Sequence, residues 1–512
     1  MQRHLLLGCA VLLAGALFIS PALSEDHAPA KSAAPAPADV SPGTDLDIDP
    51  GFGGNGTGQA IYDFNSADGN HDEGLRTFYR CAAFSGSTCT QPDYYAVGRR
   101  HHGSAWDIIV AKADMAGNPQ WNFGVQGRLT LATSFTDIRD AAFDPVAGRI
   151  YVAGAAYAGM FSREAFAVTC IDVATGTTCS QWGLAVFYFF QSLDSNIDSI
   201  ATRIAFDPAG FLYAGGIARV NGGFQLAVRK MNAANGTGVT SFGNTGSVTY
   251  ALHSPLFPTP AGQDATVLDM ALSASTSPQG PQLYLVGSNK LPAGNSHGYV
   301  VWLDPQTGAY LKSRETFGAA TTGYAGAISA ISVLADGDLA LAGYLNDGPP
   351  DEASLVLARV RAADSSLDLD TSFCGSGACV HDTGASPHGW QNTLPSAIAE
   401  RPGNRDLVVA MQAGVWSYNF STNLWRLNQK QVVEQYDAGG STLRASRLLD
   451  FPAASDTTPT AYSAGLLVDK ASVLVTGTRL WGISTDDFDV TLVRLVAHDS
   501  IFADRFGGPA GD

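Results

Sequence analysis

Three stretches of this chain gather side chains of the kinds that do chemistry, and none carries a complete catalytic or metal-binding set. Gly294-Asn-Ser296-His-Gly298 has the Gly-x-Ser-x-Gly spacing of a hydrolase nucleophile elbow, where a strand-to-helix turn exposes the serine. The next residues, Tyr299-Val-Val-Trp-Leu303, read as a strand, so no helix N-terminus is expected to support an oxyanion and a loop coincidence outweighs a nucleophile. The run from Asp63 to Glu73 concentrates hard oxygen donors, with Asp63, Asn65, Asp68 and Asp72 as candidate calcium ligands at a spacing that misses the EF-hand pattern. A solvated acidic loop is the simpler reading. His101 and His102 follow Arg99 and Arg100, but neighbours in an extended segment point to opposite sides, and no acidic or cysteine partner stands at ligand spacing. Asp45, Asp47 and Asp49 alternate with Leu46 and Ile48 and read as the polar face of a strand. No catalytic residue and no cofactor are therefore expected.

Of seven cysteines, Cys9 lies in an N-terminal leader and the other six fall as local pairs: Cys81 with Cys89, Cys170 with Cys179, and Cys374 with Cys379. Spacings this short suit disulfides that staple a hairpin or turn in an oxidising compartment, and the Cys-x2-Cys half-sites and histidine partners of a zinc site are missing. Tyr94, Tyr95, Trp106, Trp121, Trp182, Tyr188, Trp302, Trp416, Tyr418, Trp425 and Trp481 gather in loops and late strands. Most are expected to pack between stacked sheets, and a minority at a rim could stack on sugar rings or peptide side chains.

Residues 1–24 have Arg3 as their only full charge, an apolar run from Leu5 to Ile19 and a small-residue cleavage site at Ala22-Leu23-Ser24, which reads as a secretory signal peptide. Cys9 stands ahead of most of that run, which argues against lipidation. Residues 25–43 are rich in Ala, Pro and Ser and cannot bury enough surface to order themselves, so they read as a linker. No later apolar stretch approaches the ~20 residues of a membrane helix. Losing Arg3 from 30 basic residues leaves 29 against 47 acidic ones, a charge of −18 that argues against nucleic acid or an anionic membrane surface as partner. A soluble, secreted or periplasmic monomer is expected.

Along 44–496, short β-type runs, abundant Gly and almost no 3.6-residue periodicity point to an all-β fold. Asp207-Pro-Ala-Gly-Phe-Leu-Tyr-Ala-Gly-Gly216 has close variants at Asp144–Gly154 and Asp336–Gly343. Taking the residue that closes each such strand as a marker gives Gly98, Gly154, Gly216, Gly287, Gly343, Met411 and Gly477, which span 379 positions over six intervals and average about 63 residues, enough for four strands. A Phe with Gly four residues later precedes the fourth strand at Phe123/Gly127, Phe242/Gly246 and Phe373/Gly377, and occurs once more at Phe52/Gly56 before any complete repeat. The last repeat, near Ala461 to Leu495, lacks a fourth strand, so the segment Gln59 to Phe64 is expected to supply it and close a seven-bladed β-propeller of four-stranded blades. The tail, 497–512, stands outside this domain.

The repeats resemble the delta-sixty repeat, a propeller unit running as Asp-x-Gly, an apolar strand ending in Ala-Gly, an Ala-x-Arg type of strand and a Phe-Gly turn. Arg229 in Leu226-Ala-Val-Arg229 and Arg359 in Leu357-Ala-Arg359 match the third element, while Met411 departs from the glycine of the second. The resemblance implies a propeller fold and export, and it brings no shared catalytic residue. Ile501-Phe-Ala-Asp-Arg-Phe-Gly507 is similar to a short closing segment of many secreted proteins of Gram-negative bacteria, with Arg505 in place of the usual Gly. The function expected is a secreted, non-enzymatic propeller whose loops bind a protein or glycan. The alternatives are a hydrolase or lyase with its site at the channel mouth and a passive envelope component. Convergent carboxylates and His at that mouth favour catalysis, and an aromatic rim favours binding.

Overall fold

A computed structural model describes residues 46–54, 56–64, 71–85, 88–157, 164–187, 199–220, 223–252, 264–273, 280–290, 296–317, 325–346, 353–381, 391–419, 424–449, 461–468, 472–480 and 488–496. Among them, apart from one 3-10 turn at Phe373–Gly375, every regular element is a β-strand. The strands form six antiparallel sheets, one of which has eight strands. That sheet is two blades fused through the 17-residue strand Arg128–Asp144. Its first half pairs with Ala105–Ala113 as the outer strand of one blade, and its second half pairs with Arg149–Tyr157 as the inner strand of the next.

The inner strands are Asp72–Ser85, Arg128–Asp144, Ser199–Asp207, Asp264–Leu272, Ala325–Val333, Gln391–Glu400 and Ala461–Val468. Each touches the next, and the last touches the first, so the seven blades form a closed β-propeller. The closing blade is built from both ends of the domain: Gln59–Tyr62 and Asp47–Ile48 both pair with Phe488–Val496, with Gln59 opposite Val493 and Asp47 opposite Val496. One buried apolar cluster fills each gap between blades. The seventh gap, between the closing blade and the first, is filled by Phe52, Tyr62, Leu474 and Val490 against Tyr94 and Ile109.

Every inner strand carries a β-bulge at one equivalent place: between Gly74 and Arg76, Ile138 and Asp140, Ala201 and Arg203, Val267 and Asp269, Ile328 and Ala330, Pro395 and Ala397, and Ser463 and Gly465. A bulge inserts one unpaired residue, bends its strand and re-aims the side chains beside it. It also explains the repeat glycine. Gly98, Gly154, Gly216, Gly287 and Gly343 stand across from the bulge, where a Cβ would meet the carbonyl oxygen of Glu73, Asp137, Ile200, Thr266 or Ala327 at 2.3, 2.0, 2.0, 1.8 and 2.2 Å. A side chain does not fit. In the sixth blade Met411 takes the glycine's place opposite Pro395, and the inner strand there has a second irregularity between Gln391 and Leu394.

The Phe of the Phe–Gly turn is the clasp between successive blades. The rings of Phe52, Phe242 and Phe373, and Trp182 at the corresponding place in the second blade, are buried and lie against Gly117, Gly308, Gly440 and Gly236, each in the turn after the third strand of the following blade. Backbone hydrogen bonds run alongside, from Gly53 N–H to Ala116 O at 2.7 Å and from Gly243 N–H to Thr307 O at 2.8 Å. The glycine at the end of the motif turns the chain into the fourth strand with φ of 76, 81, 93 and 88° at Gly56, Gly127, Gly246 and Gly377. Disulfides Cys81–Cys89, Cys170–Cys179 and Cys374–Cys379 staple local hairpins and turns.

Gly287→Ala places a methyl group against the Thr266 carbonyl and is expected to cost at least about 2 kcal/mol through forced overpacking. Gly183→Ala, which meets nothing within 4 Å, serves as the neutral comparison in thermal melts. Equal melting temperatures for the two variants would refute the bulge as the reason for the repeat glycine.

Candidate functional site

The bulges turn side chains towards the axis of the ring, and in four blades those side chains are charged. Just after the bulge stand Arg76, Asp140, Arg203 and Asp269, while the last three blades have Ala330, Ala397 and Gly465 at the same place. Arg76 Nε lies 2.6 Å from Asp140 Oδ1 in the neighbouring blade, and its Nη2 reaches Asp269 of the fourth blade at 3.5 Å. Arg203 Nε meets the same Asp269 oxygen at 3.1 Å. The second oxygen of each carboxylate accepts a backbone N–H from the following blade, Ile204 N–H to Asp140 and Ile331 N–H to Asp269, both at 3.0 Å. Burial works against the Arg76 charge, but Asp140 and Asp269 outweigh it and push its pKa up.

A second charged layer lies nearer the end of the ring that carries the second-to-third-strand hairpins, and it belongs to the first two blades. Arg99, one residue past Gly98, has Nη2 2.6 Å from Glu73 and Nη1 2.5 Å from Asp137, and donates from Nη1 to the Ile138 carbonyl at 2.8 Å. Its guanidinium sits 4.3 Å from the centroid of the Trp106 ring, which His101 meets edge-on at 4.9 Å. Arg139, the bulge residue itself, pairs with the other oxygen of Asp137. Four guanidiniums face four carboxylates along the channel, and the acids are committed to ion pairs.

The residues singled out from the sequence fall elsewhere. Ser296 opens the strand Ser296–Leu303, paired with Lys290, so no strand-to-helix elbow exists there. Its neighbour His297 is buried, with Nδ1 3.6 Å from Glu315 Oε2. His101 is half-buried on Trp106 and His102 is exposed, on opposite sides of one strand. Asp49 pairs with Arg494 at 2.5 Å and Asp47 approaches Arg447 at 3.8 Å, along the closing strands. Asn65 and Asp68 of the calcium candidates, like residues 1–24 and 25–43, Tyr188, Trp481 and the tail, lie outside the described residues. Among the described residues no group of three or more His, Cys, Asp or Glu side chains could hold a metal ion. Tyr94, Tyr95 and Trp182 are packing residues, whereas Trp121 is 70 % exposed. The sequence reading missed Arg76, Arg139, Arg203, Asp137, Asp140 and Asp269, whose one shared signal is a place on an inner strand within two residues of the bulge that faces the marker glycine.

No family model and no curated protein matches the chain. Solved structures similar to it include the polysaccharide lyase Uly1, at 10 % identity over 86 % of this chain and 92 % of that one, with a TM-score of 0.42. A protein of unknown function from Dyadobacter fermentans is 10 % identical over 89 % and 100 %, with a TM-score of 0.41. The β-propeller domain of the Trilobed protease from Pyrococcus furiosus is 8 % identical over 78 % and 89 %, with a TM-score of 0.36. Likenesses this distant carry no functional argument, and the fold rests on the chain's own ring of sheets.

Asp72, a calcium candidate in the sequence, acts as a clasp on the closing strand. It is fully buried, and its Oδ2 accepts the Phe64 N–H at 2.9 Å, while Arg100 Nη1 donates to the Phe64 carbonyl at 2.9 Å. Its Oδ1 has no partner. Burial pushes the Asp72 carboxyl up to about 7, against the Phe64 N–H and Arg100, with Asp489 and Asp63 adding to the rise. The folded chain therefore holds this proton more tightly than the unfolded one, and the contribution to stability is lost as pH rises from the usual carboxylate range through about 7. Asp72→Asn, which stays neutral throughout, is expected to gain stability relative to the parent between pH 5 and pH 8. Parallel melting profiles across that range would contradict it.

Proposed function

We propose that this chain is a binding propeller of an oxidising, extracytoplasmic compartment, built from repeats of the delta-sixty kind, which presents its hairpin-bearing end to a glycan or protein without turning it over. The observation that carries this reading is the pairing of the channel carboxylates. A general acid or base needs a carboxyl oxygen within hydrogen-bond reach of a substrate, and an oxygen already held by a guanidinium is not offered to one. Glu73, Asp137, Asp140 and Asp269 are all so locked. His297 and Glu315, an acid–base pair among the described residues, stand 3.6 Å apart beside a serine that no helix supports. Trp106 is half-buried against the apolar cluster between the first two blades, with the Arg99 guanidinium over its ring and His101 at its edge. Three local disulfides fit export, and no helix among the described residues is long and apolar enough to cross a membrane.

The test pairs a glycan and peptide array with product analysis on a panel of polysaccharides, using the purified chain without residues 1–24. Saturable binding with no new reducing ends and no unsaturated products is expected. Turnover of any array ligand would overturn the non-enzymatic reading, and absence of binding throughout would leave the passive envelope component in its place.

A further inference from the structure

The junction between the fourth and fifth blades lacks its aromatic clasp. After the third strand of the fourth blade the chain turns back at once: Asp304 N–H donates to the Ala309 carbonyl at 2.9 Å, and Tyr310, opposite Leu303, already belongs to the fourth strand Tyr310–Phe317. No phenylalanine stands between those strands. The receiving turn of the fifth blade nevertheless keeps its form. Ser365, with φ of 63°, follows Arg361 by four residues, as Gly308 follows Asp304 and Gly236 follows Asn232. In those two turns the glycine lies against the ring of Phe242 or Trp182. Arg314, paired with Asp368 at 2.5 Å, and Lys312, which donates to the Ser366 carbonyl, tie the two blades together in the clasp's absence.

What the missing ring leaves is a cavity of about 330 Å³, bordered by Trp302, Asp304, Gln306 and Leu311 of the fourth blade and Ser365 of the fifth. It opens to solvent past Leu311, which is 47 % exposed, and past the exposed Gln306 and Ser365. Its walls are mixed, unlike the apolar seats of Phe52 and Phe242 against Tyr94 and Tyr213. Trp302 is buried with Nε1 spent on Gln282 Oε1, so with Leu311 it offers packing surface and no open stacking face. Asp304 Oδ1 accepts the N–H groups of Gln306 and Thr307 at 2.7 and 3.3 Å, and no donor among the described residues takes Oδ2. A phenyl ring seated here strips water from that oxygen and replaces nothing, a cost that a ring bearing hydroxyls avoids. One carboxylate and no Lys, Arg or His among the lining residues also disfavour an anion.

We infer that this cavity is a saccharide site, which seats one neutral pyranose ring against Trp302 and Leu311 with its hydroxyls on Asp304, Gln306 and Ser365. A space of this size with apolar walls and a few placed polar groups is what orients a small ligand. The inference goes beyond the reading of the hairpin-bearing end, since the cavity lies at the other end of the blades, beside Leu303 and away from the Lys290–Ser296 hairpin.

Calorimetric titration of the purified chain without residues 1–24 tests it, with cellobiose, maltose, diacetylchitobiose, a uronate-terminated disaccharide and a peptide of residues 501–507, in which Gly507 follows Phe506 as Gly243 follows Phe242. At least one neutral disaccharide is expected to bind, with an affinity that salt leaves unchanged. Leu311→Trp brings a clasp-sized ring into the cavity from an exposed position and is expected to weaken that binding at least about tenfold. Gln306→Ala, on an exposed turn, is expected to weaken it about threefold, as loss of one neutral hydrogen bond does. Val146→Trp, at a site 88 % exposed in the second blade, is expected to leave binding at the parent's level, and all three variants to melt near the parent. Binding left intact by both Leu311→Trp and Gln306→Ala overturns the inference and moves the ligand to the hairpin-bearing end. Preference for the uronate overturns it as well, and so does binding of the peptide alone, which makes the cavity a seat for the chain's own tail. If no saccharide binds, the inference falls while a protein-binding hairpin end still stands.

Discussion

A backbone carbonyl standing where a side chain would have to be is the contact on which the ring depends. The inner-strand bulge brings the oxygen of Thr266 to within 1.8 Å of where a Gly287 Cβ would sit, and four other blades repeat the approach. Glycine opposite the bulge is therefore a steric requirement, and the bulge in turn narrows each blade towards the axis and aims the next residue into the channel. Architecture and candidate site share one backbone feature. A change that straightened an inner strand would disturb blade packing and the placement of Arg76, Arg139, Asp140, Arg203 and Asp269 together.

Closure uses the same devices as an internal junction. Phe52 lies against Gly117 as Phe242 lies against Gly308, and Tyr62 Oη donates to the Gly117 carbonyl at 3.3 Å. The junction between chain ends thus has the apolar cluster, the aromatic clasp and the backbone bonds of an internal one, with the Asp72–Phe64–Arg100 clasp added. Arg494 reinforces it by pairing with Asp49 at 2.5 Å and lying 4.8 Å from the Phe52 ring centroid. A sheet edge in the last blade is removed by the first residues of the domain, so the two ends of a long chain must meet before that blade is fully paired.

What was legible in the sequence is what the backbone dictates locally. The marker glycines, the Phe–Gly turns and the short cysteine spacings each encode a geometry set within a few residues, and the strand Phe211–Val220 stands on the Asp207–Gly216 stretch that defines the repeat. The unmatched Phe52 and the incomplete last repeat pointed to the closing strand for the same reason. The channel was not legible, because Arg76 and Asp269 are 193 residues apart and nothing local marks either as a partner of the other. The role of Asp72 was hidden for a related reason: within an acidic run read as a solvated loop, nothing local marks the one carboxylate that is buried and accepts the Phe64 N–H. Strand alternation does put His101 and His102 on opposite sides, and Ser296 does open a strand, as the residues after it suggest.

The channel charges are not something the fold demands. Buried ion pairs seldom stabilise more than the apolar groups that could replace them, since desolvation cancels most of the attraction. The ring makes that comparison internally: Ala330, Ala397 and Gly465 occupy in three blades the place that Arg76, Asp140, Arg203 and Asp269 occupy in the others, and all seven close. Asp140 and Asp269 justify themselves partly as acceptors for Ile204 and Ile331 in the next blade. Arg139 holds the second oxygen of Asp137, whose first oxygen Arg99 holds, at a position where Ala464 suffices in the closing blade.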